Sequence, residues 1–195
     1  MKKILLPLLL TIGLTLNAQE VMDVLPYATI PEVPKDYTAG TVVSRMIDGL
    51  GFRYYWATEG ITENDFDYRP SNEGRSIRET MEHIYALSNM IANSAKKIPN
   101  DRTVSIEVPP VQDLRKLTLQ NLKTASTVFK QATDLSEHSI VFKSKEGSAE
   151  FPFWNQINGP IEDAVWHAGQ LAVLRRSAGN PMDPKVNVFL GRLND

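Results

Sequence analysis

The sequence predicts an all-α fold, a four-helix bundle with a small β-hairpin before the last helix. Three observations predict it. Apolar residues recur at spacings of three and four through four long segments. Capping residues and helix stops bound those segments. Strand-like sequence is confined to one short stretch. Four amphipathic helices with little strand bury their apolar stripes against one another. The links before the third and fourth helices are long enough for crossover connections, so simple up-and-down order does not follow.

The first helix is expected from Tyr37 to about Glu59, with Val42, Met46, Leu50, Tyr54 and Ala57 on one face. Gly49 and Gly51 each weaken it by about 1 kcal/mol relative to Ala, which points to close packing there. Gly60 ends it, and Thr62 to Asp67 form a short helical turn closed by Arg69-Pro70. The second helix has the clearest start. Ser76-Ile77-Arg78-Glu79 is a capping box, in which serine satisfies an orphan N–H and glutamate reaches back to the cap. It runs to about Ile98, with Thr80, His83, Leu87, Met90 and Ser94 along one stripe. After Pro99, Pro109 and Pro110, a third helix covers about Val111 to Thr133, facing inward with Leu114, Leu117, Leu122, Ala125, Phe129 and Ala132. Ser139 to Phe142 and Ala149 to Phe153 read as the hairpin strands. The last helix spans about Asn155 to Ser177, with Gly159-Pro160 near its start, and Ala178-Gly179-Asn180-Pro181 stops it. The tail to Asp195 lies along the surface.

The 195 residues divide accordingly: a signal peptide at 1–19, an extended lead-in at 20–36 and the helical domain with its tail at 37–195. Met1-Lys2-Lys3 is a positive n-region, Ile4 to Leu16 is almost wholly apolar, and cleavage falls near Ala18 or Gln19. The alternative, a membrane anchor, needs ~20 apolar residues rather than about a dozen. The mature protein is therefore expected to be exported, periplasmic or secreted, with no stable membrane insertion after cleavage. Pro26, Pro31 and Pro34 keep the lead-in out of a helix. With 42 % hydrophobic and 23 % charged residues, the chain can build a core and is not intrinsically disordered. Its formal charge of −2 falls to −4 once Lys2 and Lys3 are removed, which excludes an electrostatic case for nucleic-acid binding. The absence of cysteine excludes disulfides, thiolate metal sites and a cysteine nucleophile.

Three histidines exist, at 83, 138 and 167. His138 falls in a polar loop and is expected to be solvated. His83 and His167 lie deep in helices, each with a carboxylate four residues earlier, Glu79 and Asp163. Residues at i and i+4 share a helix face, so Asp163 and His167 can place an oxygen and a nitrogen on one ion, with His83 adding a third ligand from a facing helix. Two imidazoles, one carboxylate and open positions suit Zn, Ni or Fe. Glu79 can be a fourth ligand, an acceptor behind His83, or a general base. Each residue also has a plain structural reading: core histidines, a first-turn acid matched to the helix dipole, a capping glutamate. Phe52, Tyr54, Tyr55 and Trp56, with Trp154 and Trp166, read as core and interface. Arg175-Arg176 closes a helix and can also hold an anionic group. No phosphate-binding glycine loop, nucleophile elbow or zinc-finger spacing is present.

Arg69-Pro70 followed by the Ser76-Ile77 helix start reaching His83-Ile84 resembles the second-helix signature of the DinB/YfiT-like superfamily. Asp163-Ala164-Val165-Trp166-His167-Ala168-Gly169-Gln170 resembles that family's last-helix motif, in which a histidine is followed three residues later by glutamine. Helix order and spacing agree from about Tyr37 to Gly179. The resemblance implies a four-helix bundle, often dimeric, holding a divalent metal through one histidine on the second helix and a histidine pair on the last. Carried over, His83 is the first ligand, His167 the last, and Asp163 stands where the family has its middle histidine. Relatives that use a low-molecular-weight thiol are cytosolic, which fits an exported member poorly. The expectation is a mononuclear metal site, with Glu79 as base and Gln170 contacting substrate or a ligand, in a metal-dependent hydrolase or transferase acting on a small molecule. Two alternatives remain: a non-catalytic small-molecule-binding or dimeric module with the metal site weakened or lost, or an Asp163 that only hydrogen-bonds within a metal-free core.

Overall fold

A computed structural model describes residues 24–105 and 107–195. The expected signal peptide at 1–19 and residues 20–23 of the expected lead-in lie outside the described residues. Four long helices and a small set of strands make the protein mostly α: α1 (Ala39–Thr58), α2 (Ile77–Ala95), α3 (Val111–Lys130), a single turn α4 (Trp154–Gln156), and α5 (Glu162–Ser177). Helices α1, α2, α3 and α5 pack around a shared core. Leu50, Ile84, Leu122 and Leu171 are fully buried in it. Each contributes about 1.5–3 kcal/mol of transfer free energy, offset by the entropy of ordering the chain.

The helix starts follow the sequence. Thr38 caps α1 by accepting from the Thr41 amide, and Thr41 returns the contact. Ser76 and Glu79 make the reciprocal pair at α2, satisfying two N–H groups that have no helical partner. The inward face of α1 is as expected from Leu50 onward but sits one residue from its expected place before it. Val43 and Ile47 are buried with Leu50, Tyr54 and Ala57, whereas Val42 is exposed and Met46 half-buried. In α3, Leu119 is buried while Leu117 and Ala132 are only half-covered. The helix ends at Lys130, so Ala132 is past its last turn. Thr62 to Asp67 form turns, not helix; Asp65 accepts from the Thr62 amide at 2.8 Å and organises them.

The hairpin is present and longer than its apolar runs. Strands β2 (Ile140–Ser144) and β3 (Gly147–Phe151) are joined by Lys145-Glu146 alone, and β1 (Asn100–Asp101) adds in parallel to β2. The tail carries a second small antiparallel pair, β4 (Val186–Asn187) with β5 (Arg192–Leu193). The lead-in crosses α1 without helix. Tyr27 is buried over Gly51, where a Cβ would enter its ring, and Trp56 donates to the Ala28 carbonyl at 3.1 Å. That contact is the close packing which justifies a glycine in mid-helix.

Three sequence expectations are corrected. His138 is not solvated: it is 6 % exposed, its ring edge meets Phe129 with centroids 5.1 Å apart, and its Nδ1 lies 3.2 Å from the Ser94 carbonyl. Phe129 of α3 and Ser94 of α2 cover it, the Ser94 hydroxyl donating to the His138 carbonyl at 2.8 Å. Trp154 and Trp166 are not core, being 75 % and 73 % exposed. Arg175 is no anion site. It is buried and donates to the carbonyls of Trp56, Glu59 and Asn180 and to the Asn180 side chain. It thereby caps the C-terminus of α1, where unpaired carbonyls and the helix dipole favour a cation. Asn180 extends the cluster to Asp65. Burial pushes the Asp65 carboxyl up, but the Thr62 amide and Asn180 outweigh it and hold it below the usual carboxylate range. Arg175→Ala would orphan these carbonyls, so a loss of about 2–4 kcal/mol is expected, read as a large drop in Tm; Arg176→Ala, on an exposed side chain, should change little.

Candidate metal centre

The approach to α5 is irregular. After α4 the chain makes a π-helical turn, Ile157–Ile161, in which Gly159 leaves helical geometry at φ −92°, ψ −108° and Pro160 brings no N–H. This turn rests on α2. It delivers Asp163 into the first turn of α5, with His167 one turn later on the same face. Ala164 and Ala168, small and buried, bring that face close to the core.

His83 stands opposite on α2. His83, Asp163 and His167 each present a ligand atom, and these atoms all lie within 4.8 Å of one another. The carboxylate sits between the rings: His83 Nε2 is 3.2 Å from Asp163 Oδ2, and His167 Nε2 is 3.2 Å from Asp163 Oδ1. The two rings meet edge to face with centroids 4.5 Å apart. The three side chains are half-buried, His167 most of all at 12 % side-chain exposure. Burial, ahead of the neighbouring charges, pushes the His83 pKa down, which favours the neutral ring that a metal requires.

Two further side chains contact the His167 ring nitrogens. Arg75 Nη1 lies 3.3 Å from His167 Nε2 and can only donate, so Nε2 is the acceptor. Nδ1 then carries the proton and donates to Gln170 Oε1 at 2.6 Å. Glutamine three residues on therefore favours the tautomer that keeps the proton on Nδ1 and leaves the Nε2 lone pair to Arg75 or to a cation in its place. Nε2 of His167 and Oδ1 of Asp163 lie 3.2 Å apart. The separation matches the roughly 3.3 Å expected between two ligands of one tetrahedral ion with bonds of about 2.0–2.1 Å. The donor set thus fits a divalent cation.

Sequence reasoning brought His83, Asp163, His167 and Gln170 to this place, and all four converge here. Glu79 is engaged elsewhere. Its Oε2 accepts from the Ser76 amide at 2.8 Å and its Oε1 from Arg69 at 3.0 Å. The Ser76 amide first and Arg69 next hold its carboxyl below the usual range. These contacts tie it to the helix cap and make it a weaker base. Arg75 escaped notice, its one signal being its place immediately before the N-cap of α2. The chain matches no family model, no curated protein and no solved structure.

The guanidinium of Arg75 and a cation compete for one lone pair, whereas Gln170 holds that lone pair in place. Arg75→Gln is expected to tighten binding of a titrated divalent cation several-fold by removing a like charge. Gln170→Leu is expected to weaken it by about ten-fold or more. Competition against a chromogenic chelator reads both, and the opposite signs separate these effects from general damage.

Proposed function

We propose that the chain is an exported DinB-like four-helix bundle that holds one divalent ion, Zn, Ni or Fe, at His83, Asp163 and His167, and acts on a small molecule as a metal-dependent hydrolase or transferase. One observation carries this reading: the ligand atoms of His83, Asp163 and His167 converge within 4.8 Å, with His167 Nε2 3.2 Å from Asp163 Oδ1 and His83 Nε2 3.2 Å from the carboxylate's other oxygen. Four long helices, with the β2–β3 hairpin between the third and the last, are in keeping with the resemblance in number and order. No helix among the described residues is long and apolar enough to cross a membrane.

A divalent cation supplies Lewis-acid chemistry: it polarises a carbonyl or phosphoryl oxygen and acidifies water. The chain's own residues orient and admit. Gln170 keeps the His167 ring in its ligating tautomer. The π-helical turn sets the height of Asp163 against His83. Three protein ligands leave positions for water and substrate, which distinguishes a reactive site from a closed structural one.

A second reading, a metal-free binding module, draws support from Arg75, whose guanidinium already occupies the His167 lone pair. Elemental analysis of the mature chain from residue 20, purified without a His tag, separates the two. The metal reading predicts about one equivalent of Zn, Ni or Fe, absent from His83→Ala and His167→Ala while both variants keep their helical circular dichroism. No bound metal after incubation with all three ions would support the binding module instead.

A further inference from the structure

A cavity of about 690 Å³ adjoins His167, a size that suits a small organic ligand. Its long wall is a stripe of α5 formed by Trp166, Gln170 and Val173, facing Pro70 and Gly74 ahead of α2. Trp166 and Val173 are 73 % and 59 % exposed, so α5 is apolar on a second face that the core does not use. An added Cβ at Gly169, between them, would meet nothing within 4 Å.

Arg75 lines the same cavity. No aspartate or glutamate lines it, and no carboxylate among the described residues pairs with Arg75. Its hydrogen bond goes to an imidazole nitrogen, which leaves most of its five donors without a partner and no carboxylate in direct contact with its charge. One guanidinium beside an apolar wall matches a monoanion with an apolar body. The planar fork fits a carboxylate in two parallel hydrogen bonds. A dianionic phosphate would call for more positive charge than a single arginine.

We propose that this cavity binds an organic carboxylate with an apolar body, its carboxylate on Arg75 and its body along Trp166 and Val173. This deepens the proposed function by naming its substrate class, and it rests on that reading for the reaction but not for the binding. A ligand of this kind draws Arg75 away from His167 Nε2, the lone pair a cation would use.

The test uses calorimetry on the mature chain with 4-phenylbutyrate and its uncharged counterpart 4-phenylbutanamide. Wild type is expected to prefer the acid by about ten-fold or more, the worth of a charge-assisted hydrogen-bonded pair. Arg75→Gln should bind acid and amide equally, with amide affinity unchanged. Gly169→Leu, which fills the open space on an exposed helix face, should weaken both ligands. Equal binding of acid and amide by wild type, an acid preference that survives in Arg75→Gln, or unchanged binding by Gly169→Leu would each overturn the proposal. A zinc titration in parallel keeps the two readings apart. Acid preference without zinc binding sinks the metal site alone, and zinc binding without acid preference sinks this inference alone.

Discussion

The Asp163 carboxylate joins two helices that are distant in sequence. One oxygen faces His83 on α2 and the other faces His167 on its own helix, each at 3.2 Å. That double contact constrains how α5 may lie. It agrees with the rotation set by the core, in which Ala164, Ala168 and Leu171 face inward and Trp166 and Val173 outward. The height of α5 along α2 follows from the π-helical turn at Gly159-Pro160, which interrupts the regular rise. The price is a half-buried carboxylate, which is tolerable only beside imidazole nitrogens, a cation or water.

The far end of α5 is held by different chemistry. Arg175 and Asn180 tie the end of α5 to the end of α1 and to the Asp65 turn. The site end is therefore left with polar contacts that ligands can exchange, while the opposite end carries the clamp. Arg75 shows the same division locally. It immediately precedes a firmly capped helix, yet its own side chain is exposed and lightly held. Such a group can move without loosening the fold.

The fold was legible where local chemistry decides it. The Ser76–Glu79 cap, the stops at Gly60 and Gly179, both with positive φ, and the hairpin all follow from residues near in sequence. The convergence of His83 with Asp163 and His167 was legible from spacing of four on one helix and a lone histidine on another. What escaped depends on distant partners. His138 is polar in sequence but is covered by Phe129 and the Ser94 carbonyl. Arg175 looked like a surface pair with Arg176 until the carbonyls of α1 came to meet it. The outward stripe of α5 obscured its inward one, because Trp166 is apolar whether it faces core or cavity. Arg75 carries no pattern at all; only the fold brings it to His167.

The central claim is that two imidazoles and one carboxylate form a single cation site. Anomalous diffraction from crystals grown with zinc tests it directly. The account predicts one peak bonded to His83, Asp163 and His167, with Gln170 still on Nδ1 of His167 and Arg75 turned off Nε2. A map with no peak between these residues and Arg75 still hydrogen-bonded to His167, at a zinc concentration well above that of the protein, would contradict it.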